Sequence, residues 1–195
     1  MADTLFVDAP VPASQDSHAP SDVELIAAIN AGDHSAFEVL YYRYRDWVIG
    51  LASRFTSDPD IALDVMQETF LYFLRKFPGF QLTANLKTFL YPAVRNLSIA
   101  AREKTKRYQP DETQLFEIER TPALGSAGSL DDLSTIVSHL PAEQREVLLL
   151  RFVDGLSLAE ISEAMNIPLG TVKSRLHNVL KTLREDDRIK EFFGQ

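Results

Sequence analysis

The chain of 195 residues contains no cysteine, which excludes disulfides, thiolate metal sites and thiol catalysis and leaves the redox compartment unread. Its first 20 residues hold no Lys or Arg and no apolar run beyond Leu5-Phe6-Val7, so the cationic start and apolar core of a secretory signal are missing. Nowhere does it have the roughly 20 apolar residues in a row that a spanning helix needs. The expected location is therefore the cytoplasm, without membrane insertion. Its eight glycines form no GxGxxG or phosphate-loop pattern, and its four His, at 18, 34, 139 and 177, have no ligand spacing. No Ser or Asp lies in a nucleophile motif. Neither an enzyme nor a metal or cofactor protein is expected. Period-two alternation is also lacking, which argues against a sheet.

What is present reads as helix. Residues 1–20 combine three prolines with Ala, Ser and three Asp, a composition that buries too little apolar surface to offset the entropy of ordering, and are expected to form a disordered acidic tail. Ser21-Asp22-Val23-Glu24 has capping-box spacing, and a first helix is expected from there to about Ala31, stopped by Gly32. Phe37, Leu40, Tyr41, Tyr44, Trp47, Val48 and Leu51 recur at three- and four-residue spacing and mark a second. Asp58-Pro59, a cap followed by a proline at the first helical position, opens a third that reaches about Phe77. Leu86, Phe89, Leu90, Val94 and Leu97 imply a fourth, to about Arg102, with Pro92 removing one backbone donor and kinking or locally irregularising it. Periodicity then disappears over about 20 residues, too long for an ordinary connection within one compact domain. Helical signals resume at Ser129. Pro141 opens a helix ending at Gly155, Ser157-Leu158-Ala159-Glu160 is a second capping box for a short helix ending near Asn166, and residues 170–183 form the last. The expected fold is all-α, with two small helical domains, at 21–107 and 130–188, joined by a flexible linker at 108–129.

The net charge of −8 speaks against a simple polyanion binder until it is resolved by segment. Residues 69–109 carry eight basic residues and one acid, and residues 166–184 four basic and none acidic. Residues 1–68 and 110–165 are strongly acidic. Two basic islands in an acidic body suit two contacts with a phosphate backbone. The alternative is that a basic face pairs with the acidic segments.

In the last island, the order of short helix, turn at Asn166-Ile167-Pro168 and longer helix has helix-turn-helix spacing. Val172, Leu176, Val179, Leu180 and Leu183 share one side and are expected to pack on Ile161 and Met165. Ser174, His177, Asn178 and Lys181 fall opposite, flanked by Thr171, Lys173 and Arg175: small polar groups to read base edges between cations that hold phosphates. On the fourth helix Thr88, Tyr91, Arg95 and Arg102 form a stripe opposite the core positions, bordered by Asn96 and Ser98 and extended by Lys104, Lys106 and Arg107. Aromatic and basic groups in one stripe suit stacking on unpaired bases. The loop before it, residues 77–85, is placed to form a pocket for an extruded base. On the third helix, Leu63, Met66, Phe70, Phe73, Leu74 and Phe77 are expected inward. Ile61, Asp64, Val65, Glu68, Leu71 and Tyr72 are expected outward with Arg75, a mixed apolar and acidic face that suits a partner helix.

These strings and their order resemble the extracytoplasmic-function sigma factors, a group of bacterial RNA polymerase initiation subunits, over about residues 21–188. Ile29-Asn30-Ala31-Gly32-Asp33 and Ala36-Phe37-Glu38-Val39-Leu40-Tyr41 are similar to the start of that family's region two. Asp64-Val65-Met66-Gln67-Glu68-Thr69-Phe70 is similar to its core-binding helix. Leu86-Lys87-Thr88-Phe89-Leu90-Tyr91 with Val94-Arg95-Asn96 resembles the segment that melts and holds the minus-ten element. Leu140-Pro141-Ala142-Glu143-Gln144-Arg145-Glu146 and Pro168-Leu169-Gly170-Thr171-Val172-Lys173-Ser174-Arg175-Leu176 resemble region four, which reads the minus-thirty-five element. The chain departs from the usual pattern at Phe89, where Trp is frequent, at Pro92-Ala93-Val94, and at His177-Asn178.

The resemblance implies an alternative sigma factor that binds core RNA polymerase through Ile61, Asp64, Val65, Glu68, Leu71 and Tyr72. Lys87, Thr88, Tyr91, Arg95, Asn96 and Arg102 would hold the minus-ten single strand. Thr171, Lys173, Ser174, Arg175, His177, Asn178 and Lys181 would meet the minus-thirty-five duplex. Implied partners are the beta-prime clamp coiled coil and beta flap of the polymerase, promoter DNA and an anti-sigma factor. The rival reading is a sigma-like decoy that sequesters an anti-sigma factor. The surplus acid leads to a further expectation, that the free chain binds promoter DNA poorly.

Overall fold

A computed structural model of the chain describes residues 19–108 and 137–185. The expectations of an acidic tail at 1–18, a linker at 109–129, a helix over 129–136 and the end of the second domain at 186–188 lie outside the described residues, as do the side chains of Lys106 and Arg107. Seven helices are described: α1 (Asp22–Asn30), α2 (His34–Thr56), α3 (Pro59–Leu74), α4 (Leu86–Tyr108), α5 (Ala142–Phe152), α6 (Leu158–Met165) and α7 (Leu169–Glu185). Among the described residues there is no strand and no helix long and apolar enough to cross a membrane.

Local chemistry sets the helix ends. Ser21 Oγ accepts from the Glu24 N–H and Glu24 accepts from the Ser21 N–H at 2.8 Å, satisfying two orphan donors at once. Ser157 and Glu160 repeat the arrangement at α6. Asp58 accepts from the amides of Asp60 and Ile61, with Pro59 behind it. Asn166 closes α6 in the left-handed region at φ 53°, so the chain reverses into α7 within three residues. α4 runs unbroken through Pro92 and on to Tyr108, past the expected end at Arg102.

α2, α3 and α4 pack against one another under α1, around an aromatic group formed by Phe37, Phe70, Phe73, Phe77, Phe80 and Phe89. The α3 seam differs from expectation by about one position. Ala62, Val65, Met66, Thr69, Phe70 and Phe73 are buried, Val65 at 3% exposure, whereas Leu63 at 42% and Leu74 at 43% point outward. Thr69 explains the phase: its hydroxyl donates to the Val65 carbonyl at 2.7 Å, so a polar residue occupies the seam with its hydrogen bond made. Asn30 ties the end of α1 to the loop before α4, donating to the Phe80 carbonyl at 2.8 Å and accepting from the Gly79 N–H at 2.6 Å.

The two helical units do not stand apart. One continuous buried cluster runs from Leu25, Leu40 and Phe73 through Tyr91 and Val94 to Val147, Leu150, Leu156, Ile161, Ala164 and Val172. α6 lies directly on α4. A second, small cluster of Leu140, Leu148 and Val179 belongs to the C-terminal unit alone, with Leu176 and Leu183 against it.

Candidate nucleic-acid and partner interfaces

α7 presents its polar face to solvent. Pro168 supplies the first carbonyl, accepting from Thr171 N at 2.8 Å, and Val172 and Val179 anchor the opposite side in the core. Lys173, Ser174, His177, Asn178 and Lys181 are exposed and Thr171 is half-buried. The Ser174 hydroxyl donates to the Thr171 carbonyl at 3.0 Å, leaving its lone pairs outward. Arg175 is half-buried and reaches back to Glu143 of α5. The arrangement offers small polar groups flanked by cations on one helix face, with α6 crossing behind it.

On α3, Asp64, Glu68, Leu71 and Tyr72 are exposed and Ile61 is half-buried. Val65 is a correction: it belongs to the core seam fixed by Ala62 and Thr69 and is unavailable to a partner. Leu63 and Leu74 add apolar surface that the sequence reading had turned inward. Ile61, Asp64, Glu68 and Leu71 line a shallow groove whose other wall is Ala101, Lys104 and Thr105 of α4. Tyr72 stacks on Phe89 with centroids 5.9 Å apart and lies 4.5 Å below the Lys76 ammonium.

The α4 stripe is where the structure departs most from expectation. Thr88 and Tyr91 are buried rather than opposite the core, Tyr91 at 0% exposure. The cause is the C-terminal unit, which covers this face: the Tyr91 hydroxyl donates to Glu146 of α5, and Arg95 Nε donates to the same carboxylate oxygen at 3.2 Å. Burial pushes the Glu146 carboxyl up to about 7, against the pull of Arg175. Lys87 lies 5.6 Å from the Trp47 ring and donates to the Asp154 backbone carbonyl at 2.7 Å, with desolvation lowering its pKa. Asn96 stays exposed, and Arg102 is held within the N-terminal unit by the Phe55 carbonyl at 3.2 Å. Ser98 is fully buried.

Beside the stripe, the loop at 77–85 walls a cavity of about 600 Å³ with Tyr72, Phe89 and Asn96, and Glu163 of α6 stands at its edge. Thr88 is among the residues that line it, and its hydroxyl is buried without a hydrogen-bond partner. Aromatic walls formed by Tyr72 and Phe89 suit an incoming planar group.

Four residues that hold this region together escaped the sequence reading. Asp154, 4% exposed, accepts from Trp47 Nε1 at 2.8 Å and from both terminal nitrogens of Arg54 at 2.7 and 2.8 Å. Glu146 is the fourth. Trp47 reads locally as a core position of α2, and Asp154 as one acid among many in its segment. No local spacing connects residues about a hundred positions apart.

Comparison with known proteins was made against this geometry. Residues 40–108 match the family model for sigma-70 region 2, and residues 130–183 the model for sigma-70 region 4. The chain is 30% identical over 180 residues to the ECF RNA polymerase sigma factor SigW of Bacillus subtilis, covering 84% of this chain and 95% of that one. It is also 30% identical over 172 residues to the ECF RNA polymerase sigma-E factor of Haemophilus influenzae, covering 80% and 89%. Among solved structures it is similar to the sigma factor RpoE in complex with the anti-sigma factor NepR from Bartonella quintana. That match has a TM-score of 0.60 at 24% identity and covers 81% of this chain and 96% of the other. CnrH in complex with the cytosolic domain of CnrY also gives a TM-score of 0.60, at 18% identity and with coverage of 83% and 93%.

Proposed function

The chain belongs to the extracytoplasmic-function sigma factors and is an alternative sigma factor that directs transcription by RNA polymerase, and from that premise we propose how its helix faces divide the work. α3 docks on the polymerase through Ile61, Asp64, Glu68, Leu71 and Tyr72, with Leu63 and Leu74 added and Val65 left in the core. The expected receptor is the clamp coiled coil of the beta-prime subunit, and the C-terminal unit meets the beta flap. α7 enters the major groove of the minus-thirty-five element. Lys173, Arg175 and Lys181 hold phosphates there, and Ser174, His177 and Asn178 face base edges.

On α4, Lys87, Arg95 and Arg102 hold the backbone of the melted minus-ten strand, with Tyr91 and Asn96 along the same stripe. An extruded base enters the cavity between Tyr72, Phe89 and the loop at 77–85. The work takes place in the cytoplasm. By likeness to the RpoE and CnrH complexes, an anti-sigma factor is a further partner.

The observation that carries this reading is the exposed α7 face, with four cations and no carboxylate between residues 166 and 184. A decoy that needs no DNA would have no use for it. Run-off transcription by purified core polymerase on genomic promoter fragments, with and without the protein, tests the reading. Promoter-specific transcripts that depend on the protein are expected, and their absence at every salt concentration would refute it.

A further inference from the structure

Three of the groups proposed to hold the melted strand, Lys87, Tyr91 and Arg95, are already occupied by the C-terminal unit. Glu146 takes Tyr91 and Arg95, the Asp154 carbonyl takes Lys87, and the Asp154 carboxylate takes Arg54 and Trp47. Every acceptor in that set comes from the C-terminal unit, and every donor comes from α2 or α4. The Arg54–Asp154 pair is desolvated on both sides and charge-assisted rather than a loose surface pair, and Glu146 is largely buried beside Arg95. Apolar packing surrounds them: Leu150, Leu156 and Ile161 share one cluster with Leu90, Tyr91 and Val94.

We propose that α4 and the adjoining end of α2 are a binding site for this chain's own C-terminal unit, with Glu146 and Asp154 standing where strand phosphates would go, so that the free protein cannot capture the minus-ten strand until the two units part. The inference rests on the assignment of α4 to single-strand capture. It concerns one face only. Lys173, Ser174, His177, Asn178 and Lys181 stay exposed in the closed arrangement, so duplex reading needs no opening.

Asp154 acts by charge and by shape. A guanidinium held by both oxygens of one carboxylate is the geometry Arg also uses for phosphate, so acid and strand compete for the same donors. Because both units lie on one chain, docking is intramolecular and does not depend on protein concentration. When the open, binding-competent form of the protein is a minor population, its apparent affinity for the strand is reduced by that fraction. The surplus acid of residues 110–165 thus acts at a defined place on the basic island of residues 69–109.

Asp154→Asn keeps side-chain shape and removes the charge that Arg54 holds. The Asp154 carboxylate bonds across to the N-terminal unit, so the C-terminal fold should survive, and unchanged binding to a minus-thirty-five duplex checks that it does. Since the chain has no cysteine, Glu38→Cys with Thr182→Cys places one dye on each unit without competing sites. The wild-type free protein should give one high-transfer population. The Asp154→Asn variant should shift to low transfer and bind a minus-ten non-template oligonucleotide at least tenfold more tightly. Unchanged transfer together with unchanged oligonucleotide affinity, including no binding by either protein, would overturn the proposal. Run-off transcription separates the two levels. A wild-type protein that transcribes while the Asp154→Asn variant shows no gain sinks the closure alone, whereas a wild-type protein that does not transcribe sinks the assignment beneath it.

Discussion

Reversing the two acids of α3, Asp64→Arg with Glu68→Arg, separates binding from folding. Both carboxylates are exposed, one helical turn apart, and among the described residues neither has an ion-pair partner. Replacing them should therefore move stability by no more than about 0.5 kcal/mol. At a polymerase interface the same change removes two favourable charge contacts and creates two unfavourable ones. At about 0.7 kcal/mol for each of the four, affinity falls by about 3 kcal/mol, on the order of 100-fold in Kd. Leu71→Ala probes the apolar part of the same face. Leu71 is half-exposed, so burying its remaining surface is worth about 1 kcal/mol, roughly five-fold in Kd. The assay is a titration of labelled protein with core polymerase beside urea unfolding of the same samples. A double-reversal Kd within threefold of wild type would remove α3 from the interface. A fall in unfolding midpoint matching the loss of affinity would show that folding, not docking, had been disturbed.

Three other perturbations test other parts of the molecule. Lys173→Ala with Ser174→Ala should lower minus-thirty-five duplex affinity by about 1–2 kcal/mol and reduce its salt slope by about one, with core affinity unchanged, as read by anisotropy across a salt series. Glu146 is faced by Tyr91 and Arg95 from α4 and by Arg175 from α7, and its carboxyl titrates near 7 when buried against 4.5 in the open. The closed form therefore binds the extra proton, so closure weakens as pH rises from about 4.5 to about 7 and levels off above. Dye transfer between the units should fall over that range, and Glu146→Gln should flatten the curve; a rise with pH would refute the assignment. Thr88→Val removes a buried hydroxyl without a partner, so the unfolding free energy should rise by about 1 kcal/mol. A loss of stability would mean that the hydroxyl is bonded.

What could be read from the sequence was local. Ser21 with Glu24, Asp58 with Pro59, and Ser157 with Glu160 each place a cap within four residues, and the helices begin where those patterns put them. The polar face of α7 was equally legible, because spacing alone decides which residues share a helix side. The phase of α3 was not, since a buried Thr69 looks polar until its hydroxyl is seen to bond the Val65 carbonyl. The closure was least legible. Asp154 and Trp47 meet across more than a hundred residues, and counting charge by segment cannot say whether an acidic segment and a basic one face solvent or hold each other. Pairing of a basic face with the acidic segments, the plainer of the two readings of the islands, describes α4 in this arrangement.

The two readings of the basic islands are not alternatives once the faces are separated. A face that must hold a flexible, unpaired strand needs cations and an aromatic in a partly desolvated setting, and desolvated cations are costly unless they are paired. Tyr91 at 0% exposure and the half-buried Lys87 and Arg95 have that setting supplied by the C-terminal unit. α7 reads a duplex whose groove brings its own hydration and geometry, and its polar residues tolerate exposure. The order of engagement follows. Duplex contact at the minus-thirty-five element requires no rearrangement, whereas strand capture requires Glu146 and Asp154 to leave. Substitutions at those two acids should accordingly change single-strand affinity and leave duplex affinity where it was.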